Sequence, residues 1–256
     1  GGAEVSVRIN TATPEADIDA SLWPGMGRVA HPKTESAERI REVDALIAKY
    51  ERLRGIRKGT VDITAMIESA LGVANAYEIA SASPRVKAFG GGGGYDMSLD
   101  MGIDMFVGFH QFFYTTAECE LVARALGKEF SVSVHMTDTS GSVSDAEATY
   151  LRAVANRKAG GRSGGGLHPN VVEPSNRGLT PLPEEVEQAR RVLAAYKEIE
   201  ESGESAGEFD GQTVDAYEAA RAAELLDWAQ ACAEKDAFKE RKRRMAEGLQ
   251  PQPVGS

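Results

Sequence analysis

Cysteine is nearly absent from this chain of 256 residues: only Cys119 and Cys232 occur, each in a segment with helical patterning. Two thiols so placed argue against a disulfide framework and suit a reducing compartment. No apolar run approaches the roughly 20 residues that a membrane-spanning helix needs, and the N-terminus lacks a signal-peptide pattern. The expectation is a soluble, cytoplasmic protein. Basic charge is in deficit, with 29 Lys and Arg against 39 Asp and Glu and a net charge of −10. Nucleic acid is therefore a poor main partner, since neutralising phosphates needs a basic face. Histidine is scarce as well, and His31, His110 and His135 form no metal or nucleophile constellation. What is present is a 42% hydrophobic content, enough to bury a full core.

Short β-rich runs alternate with long helical ones. Strands are expected at EVSVRIN (4–10), RVAHPK (28–33), VDITAMIES (61–69), RVKAFG (85–90), FSVSVHMTD (130–138) and, briefly, GGGLHPN (164–170). Between the second and third, Ile40, Val43, Leu46, Ile47, Tyr50 and Leu53 recur at the three-and-four spacing of an amphipathic helix that stops at Gly55. ALGVANAYEIASAS, FHQFFYTTAECELVARALG and SDAEATYLRAVANRKAGG read as further helices. Alternation at about 30 residues per unit means right-handed βαβ units and a parallel sheet. The choice is a doubly wound sheet or a (β/α)8 barrel. A doubly wound sheet usually places its glycine turn after the first strand, whereas here the glycines follow the fourth. Arg8, Lys33, Glu68, Asp96, Asp138 and His168 all lie at or just past strand ends, where barrel chemistry sits. The expectation is a TIM barrel, seen here as six βα units over residues 1–182. A C-terminal helical extension, 183–256, follows: a helix opened by Pro183, Glu184 and Glu185, the polar linker ESGESAGE, a short turn at FDGQTVD and a long final helix.

The stretch KAFGGGGGYDMSLDMG carries five consecutive glycines, Gly90 to Gly94, between an apolar run and two spaced aspartates. Flanked by a strand and a helix start, it reads as a widened loop at the barrel rim, with Gly91, Gly92 and Gly93 letting backbone approach a ligand that a Cβ would block. As a phosphate loop it is weak, because no lysine–serine pair follows.

MIESALGVANAYEIASASPRVKAFG and LHPNVVEPSNRGLTPLPEEVEQARRVLAAY resemble the citrate lyase β-subunit-like group of the HpcH/HpaI aldolase superfamily, which includes malyl-CoA and citramalyl-CoA lyases. EVSVRIN, HPKTESAERI and FDGQTVD match further signatures in the same order, from about Glu4 to Ala222. The resemblance implies a (β/α)8 barrel, assembled as a homotrimer or homohexamer, with a C-terminal lid lent to the next subunit. It also implies two further βα units ahead of the first strand seen here. The family's glycine-loop pattern departs from this chain's, and aligning its trailing aspartates places them on Asp96 and Asp100.

Glu68 ends the third strand and Asp96 follows the fourth, so neighbouring strands can aim both carboxylates at one point. Two oxygen ligands completed by water and substrate suit Mg²⁺; the plainer reading of each is a salt-bridged or solvated group. Arg8 is a barrel-top arginine whose planar fork suits a substrate carboxylate, or an ion pair with Glu68 or Glu35. Lys33 and Glu35 either orient the metal site or serve structure. His168, before Pro169, reads as a structural hydrogen bonder, Asp138 as an acceptor behind the site, and the basic run Lys239–Arg244 as a solvated helix end. The resemblance places Asp215 as the lid acid/base, while the residue type alone equally suits a helix N-cap. The function implied is Mg²⁺-dependent cleavage or formation of a carboxylated 3-hydroxyacyl-CoA from an acyl-CoA and a 2-oxo acid. A CoA-independent 4-hydroxy-2-oxo acid aldolase and a non-catalytic acyl-CoA-binding subunit are the alternatives.

Overall fold

The computed structural model describes residues 4–103, 112–133, 145–166 and 168–248. They fall into two compact units, one from Glu4 to Leu179 and one from Thr180 onward.

The first unit is built on six strands: β1 (Val5–Arg8), β2 (Met26–His31), β3 (Asp62–Ile67), β4 (Val86–Gly91), β5 (Glu129–Ser133) and β6 (Ser163–Gly165). All neighbours pair in parallel and the spatial order is the chain order, β1 to β6. A doubly wound sheet reverses direction partway; an unbroken order advances every crossover the same way and curls the sheet into a half-barrel. Arg28 on β2 bears this out: its Nε lies 3.1 Å from Glu4 just before β1, and its Nη1 3.3 Å from Glu129 on β5. β5 is three strand spacings away, about 14 Å on a flat sheet, and the concave face shortens that span. Among the described residues the sheet has six strands, and the eight-stranded closure implied by the resemblance is not seen among them.

Helices cover the convex side. α1 (Pro14–Ser21), which the alternation of long runs did not reveal, opens with Pro14 and two acidic residues and buries Ile18. α2 (Ala37–Leu53) is capped by the Ser36 hydroxyl and buries Ile40, Val43, Ile47 and Tyr50. Leu53, the last apolar position of that stripe, is exposed instead. α3 (Ala70–Ala74), α4 (Ala76–Ser81), α5 (Tyr95–Met101), α6 (Phe113–Ala125), α7 (Ala146–Lys158) and α8 (Val172–Leu179) follow. On β3 the residues facing these helices, Ile63, Ala65 and Ile67, are fully buried.

EVSVRIN is strand only over Val5–Arg8 and VDITAMIES only over Asp62–Ile67, and two further boundaries need correction for a clear cause. RVAHPK stops being strand at His31, because Pro32 has no N–H to give the ladder and Lys33 turns to φ +46°. GGGLHPN is strand only to Gly165: His168 instead caps a 3-10 turn at Pro169–Val171, its Nδ1 accepting from Asn170 N at 3.2 Å. That is the structural role its place before proline suggests. The fifth strand is described as far as Ser133; Asp138, His110 and His135 lie outside the described residues.

The second unit holds α9 (Pro183–Glu201), an antiparallel hairpin of β7 (Ala206–Phe209) and β8 (Gln212–Asp215), and α10 (Ala216–Ala246). The hairpin corrects the reading of a polar linker and turn. Asp210 and Gly211 form its two-residue loop with φ +52° and +75°, the backbone an Asp-Gly pair adopts readily. The basic run near the end of α10 pairs locally, Lys239 with Asp236 and both Arg243 and Arg244 with Glu240. No helix among the described residues is long and apolar enough to cross a membrane.

Candidate active site

The turn that follows β2 organises the C-terminal edge of the sheet. His31 and Thr34 lock it from beneath: both are buried, and the ring Nδ1 sits 2.8 Å from the Thr34 hydroxyl, which also donates to the His31 carbonyl. Burial holds the His31 imidazole below its usual pKa. Thr34 N donates to Met66 O on β3, so the turn is tied to the neighbouring strand. Between these anchors Lys33 takes a left-handed conformation, φ +46°, which costs a non-glycine residue on the order of 1–2 kcal/mol. The result is that its N–H reaches Glu68 Oε2 at 2.9 Å.

Glu68 stands just past β3 with its side chain 14% exposed. Burial pushes its carboxyl pKa up. The Lys33 amide and the Arg8 charge oppose that rise, while the Asp96 charge adds to it. Arg8, the last residue of β1, is half open to solvent and brings Nη2 to 3.9 Å from Glu68. Asp96, in the first turn of α5 beyond β4, receives the Lys33 ammonium at 2.9 Å. That pair holds the Lys33 pKa above its usual value. Four strand ends thus contribute to one cluster: Arg8, Lys33, Glu68 and Asp96, two cations and two carboxylates. Lys33, weighed in the sequence only as a possible orienting group, is its centre. No residue pattern signals the positive φ that puts it there.

The donor set suits a small, hard cation. Among the described residues no three His, Cys, Asp or Glu side chains gather as a cage, and the cluster brings two carboxylates, Glu68 and Asp96. Mg²⁺ is usually held by one or two carboxylates, the rest of its octahedral shell being water and substrate oxygens. Glu68 is short of positive charge in its half-dry position, since burial outweighs the help from Arg8 and Lys33. Glu68 and Asp96 therefore fit such an ion.

The chain itself gives the glycines a rationale beside the one their run suggests. A Cβ on Gly91 would lie 1.9 Å from Ile67 O, one on Gly90 2.5 Å from Ser131 O, and one on Gly92 2.5 Å from Thr115 O. Gly91 and Gly92 also hold φ +119° and +78°. Their bareness is thus required by this chain's own backbone, where β4 crowds its neighbours and α6. Thr115 and Thr116 hydroxyls both donate to Gly92 O and clamp the loop. Only Gly93 and Gly94 have room for a Cβ, and Gly94 caps α5 at φ +103°.

Asp100 is a brace rather than part of the cluster: its Oδ2 accepts from Ala70 N at 2.7 Å and ties α5 to the start of α3. Glu35 is exposed, and its backbone carbonyl accepts from Asn75. Asp215 belongs to the second compact unit, where its Oδ1 accepts from Tyr217 N and Glu218 N and caps α10. A groove of about 680 Å³ between α1 and α2, lined by Thr13, Glu15, Glu42, Leu46 and Lys49 among others, includes none of the clustered residues.

Known proteins resemble this chain over most of its length. Residues 1–168 match the family described as HpcH/HpaI aldolase/citrate lyase. Citrate lyase subunit beta of Leuconostoc mesenteroides subsp. cremoris is 30% identical over 234 residues, covering 90% of this chain and 76% of that protein. L-malyl-CoA/beta-methylmalyl-CoA lyase of Rhodobacter capsulatus is 29% identical over 239 residues, covering 84% and 73%. Among solved structures, CitE from Mycobacterium tuberculosis in complex with magnesium, acetoacetate and coenzyme A superposes with a TM-score of 0.67 at 25% identity, covering 88% of this chain and 78% of that one.

Proposed function

The chain belongs to the HpcH/HpaI aldolase/citrate lyase family and is a carbon–carbon lyase; we propose that it cleaves or forms a carboxylated 3-hydroxyacyl-CoA, from an acyl-CoA and a 2-oxo acid, with Mg²⁺. The observation that carries this reading is the Arg8–Lys33–Glu68–Asp96 cluster at the C-terminal edge of the sheet. The relatives named citrate lyase subunit beta and L-malyl-CoA lyase, and the CitE complex with magnesium, acetoacetate and coenzyme A, support the same chemistry.

Glu68 and Asp96 would hold the cation. When bound, Mg²⁺ supplies Lewis acidity to the substrate's hydroxyl and carboxylate oxygens. Arg8, exposed at the mouth and 3.9 Å from Glu68, pairs the substrate carboxylate with its planar fork and fixes the bond to be cleaved. The cluster alone is electrically balanced, two positive against two negative groups. With a divalent cation held there the cluster would carry net positive charge, which favours a carboxylate together with an oxygen that becomes anionic. Cleavage takes the proton from the substrate hydroxyl as the carbon–carbon bond breaks and leaves a thioester enolate that takes a proton up, so one acid/base can accept the first and return it to the second. Asp215 of a neighbouring copy is our candidate acid/base, a role worth on the order of 10²–10⁴ in rate. Its Oδ1 caps α10, and among the described residues its Oδ2 has no hydrogen-bond partner. This reading includes closure of the sheet into an eight-stranded barrel, the C-terminal unit as a lid shared between copies of a trimer or hexamer, and Gly91, Gly92 and Gly93 lining the substrate's path.

The test incubates the protein with Mg²⁺, acetyl- or propionyl-CoA and glyoxylate or pyruvate, with and without EDTA, and follows condensation and cleavage. Turnover that EDTA abolishes is expected. Absence of metal-dependent turnover with every pairing would overturn the reading. Turnover of free 2-oxo acids with aldehydes while CoA esters stay inert would replace it with the aldolase.

A further inference from the structure

We propose that Lys33 is a built-in counter-ion that occupies Asp96 until a divalent cation displaces it, and so sets the metal affinity of this site. The inference rests on the metal reading of Glu68 and Asp96 above. Lys33 makes two contacts of different kinds. Its backbone N–H donates to Glu68 Oε2 at 2.9 Å, and its ammonium lies 2.9 Å from Asp96 Oδ1. The first is fixed by the turn, because Thr34 N is bonded to Met66 O and the Thr34 hydroxyl to His31. The second sits at the end of a flexible stem whose side chain is 56% exposed, so it can leave without disturbing the first.

Geometry makes the ammonium and the metal compete. A Mg²⁺ ion bonds carboxylate oxygen at about 2.0–2.1 Å. Bound to Asp96 Oδ1, it would lie no more than about 5 Å from a Lys33 Nζ still 2.9 Å from that oxygen. Two positive charges facing one at that range repel appreciably even in water, and the lysine has open solvent to move into. A strained, positive φ at Lys33 is retained where glycine would be easier. Glycine would supply the N–H to Glu68 equally well. What glycine lacks is the ammonium, and among the described residues the ammonium's one ion-pair contact is Asp96.

Mn²⁺ binding, titrated by electron paramagnetic resonance and by calorimetry, tests this without assaying turnover. Wild type is compared with Lys33→Met, Lys33→Arg and Glu68→Gln. Lys33→Met is expected to bind Mn²⁺ about tenfold more tightly, Lys33→Arg to stay near wild type, and Glu68→Gln to bind poorly. Lys33→Asn, suited to the left-handed backbone, replaces the methionine variant if that one does not fold. A lysine that merely braces the turn would weaken binding when removed, or leave it unchanged. Either of those results, with binding still dependent on Glu68, overturns the counter-ion and leaves the metal site standing. No Mn²⁺ binding by wild type or Lys33→Met overturns both.

Discussion

Two charged clusters sit at opposite edges of the same sheet, and they are built by opposite rules. At the N-terminal edge, Arg85 directs both terminal guanidinium nitrogens, Nη1 and Nη2, at Glu51, at 2.9 and 2.6 Å, its Nε at Asp44 at 2.6 Å, and Nη1 also at Val61 O. Glu51 is fully buried and accepts in addition from Gly59, Thr60 and Val61 amides. Every polar atom there has a partner, and the cluster joins α2 to the entries of β3 and β4. At the C-terminal edge the Arg8–Glu68 pair is loose at 3.9 Å, and Arg8 and Lys33 are more than half exposed. Burial raises the pKa of Glu68, whereas at Glu51 burial is outweighed by Arg85 and the Val61 and Gly59 amides, and the pKa falls. The lesson is that satisfied charge fastens a fold, while under-satisfied charge marks where something else is meant to bind.

The largest test of this contrast is Arg85→Met. It strands Glu51 without its counter-charge, and breaking a buried pair this way costs about 3–5 kcal/mol, a large part of a typical domain's stability of roughly 5–15 kcal/mol. Urea unfolding should show that loss. A loss below about 1 kcal/mol would erase the distinction between the edges. The double variant Arg85→Met/Glu51→Leu should recover much of it, since two apolar residues leave no orphan charge. Acid probes the same cluster. Because the folded pKa of Glu51 is depressed, its contribution is complete above the unfolded value of about 4.3. It is lost as pH falls through the lower folded value, so wild type should shed stability below about pH 4 more steeply than the double variant.

The sheet was legible because strand–helix alternation and an amphipathic stripe such as Ile40–Val43–Ile47–Tyr50 are direct imprints of burial. Glu68, Asp96 and Arg8 were legible as chemistry-bearing types at strand ends, and Lys33 was legible only as a neighbour. What no local pattern carried was conformation and reach. The left-handed backbone of Lys33 is set by Thr34 bonding to β3, a contact between distant segments. The glycine requirement at Gly91 comes in part from Ile67 O on the adjacent strand, a tertiary clash that no local pattern shows. The hairpin at Asp210–Gly211 did have a local sign, its Asp-Gly pair, hidden by the polarity of the residues before it. Arg85–Glu51–Asp44 left no mark at all, because a buried charge and a solvated one are spelled with the same letters.

A smaller effect of opposite sign is expected at the other edge. Glu68→Gln removes a carboxylate whose folded pKa is raised by burial. Such a group costs stability once pH exceeds its unfolded value of about 4.3, and the cost is complete above the folded value. At neutral pH without divalent cations, the variant should match wild type or exceed it by up to about 1 kcal/mol. Added Mg²⁺ reverses the order: a ligand at a hundred times its Kd stabilises by about 2.7 kcal/mol, and wild type alone should gain it. Thermal denaturation with and without Mg²⁺ measures both terms. A Glu68→Gln protein markedly less stable than wild type in the absence of metal would place Glu68 with Glu51 as a fastening residue.

The smallest effect on stability, and the sharpest on function, belongs to Arg8→Gln. Its side chain is 58% exposed and meets Glu68 only at 3.9 Å, so solvent screening leaves the pair worth at most a few tenths of a kcal/mol. Unfolding should shift by no more than about 0.5 kcal/mol, within the range of ordinary surface changes. A hydrogen bond to a charged partner is worth about 1.5–3 kcal/mol, which corresponds to roughly a 10- to 150-fold loss when a substrate carboxylate is left without its fork. That loss should fall on the KM of the 2-oxo acid during condensation, with the KM of the acyl-CoA little changed. An equal rise in both would mean that Arg8 orders the whole mouth through Glu68, and the loose 3.9 Å contact would then be holding the site together.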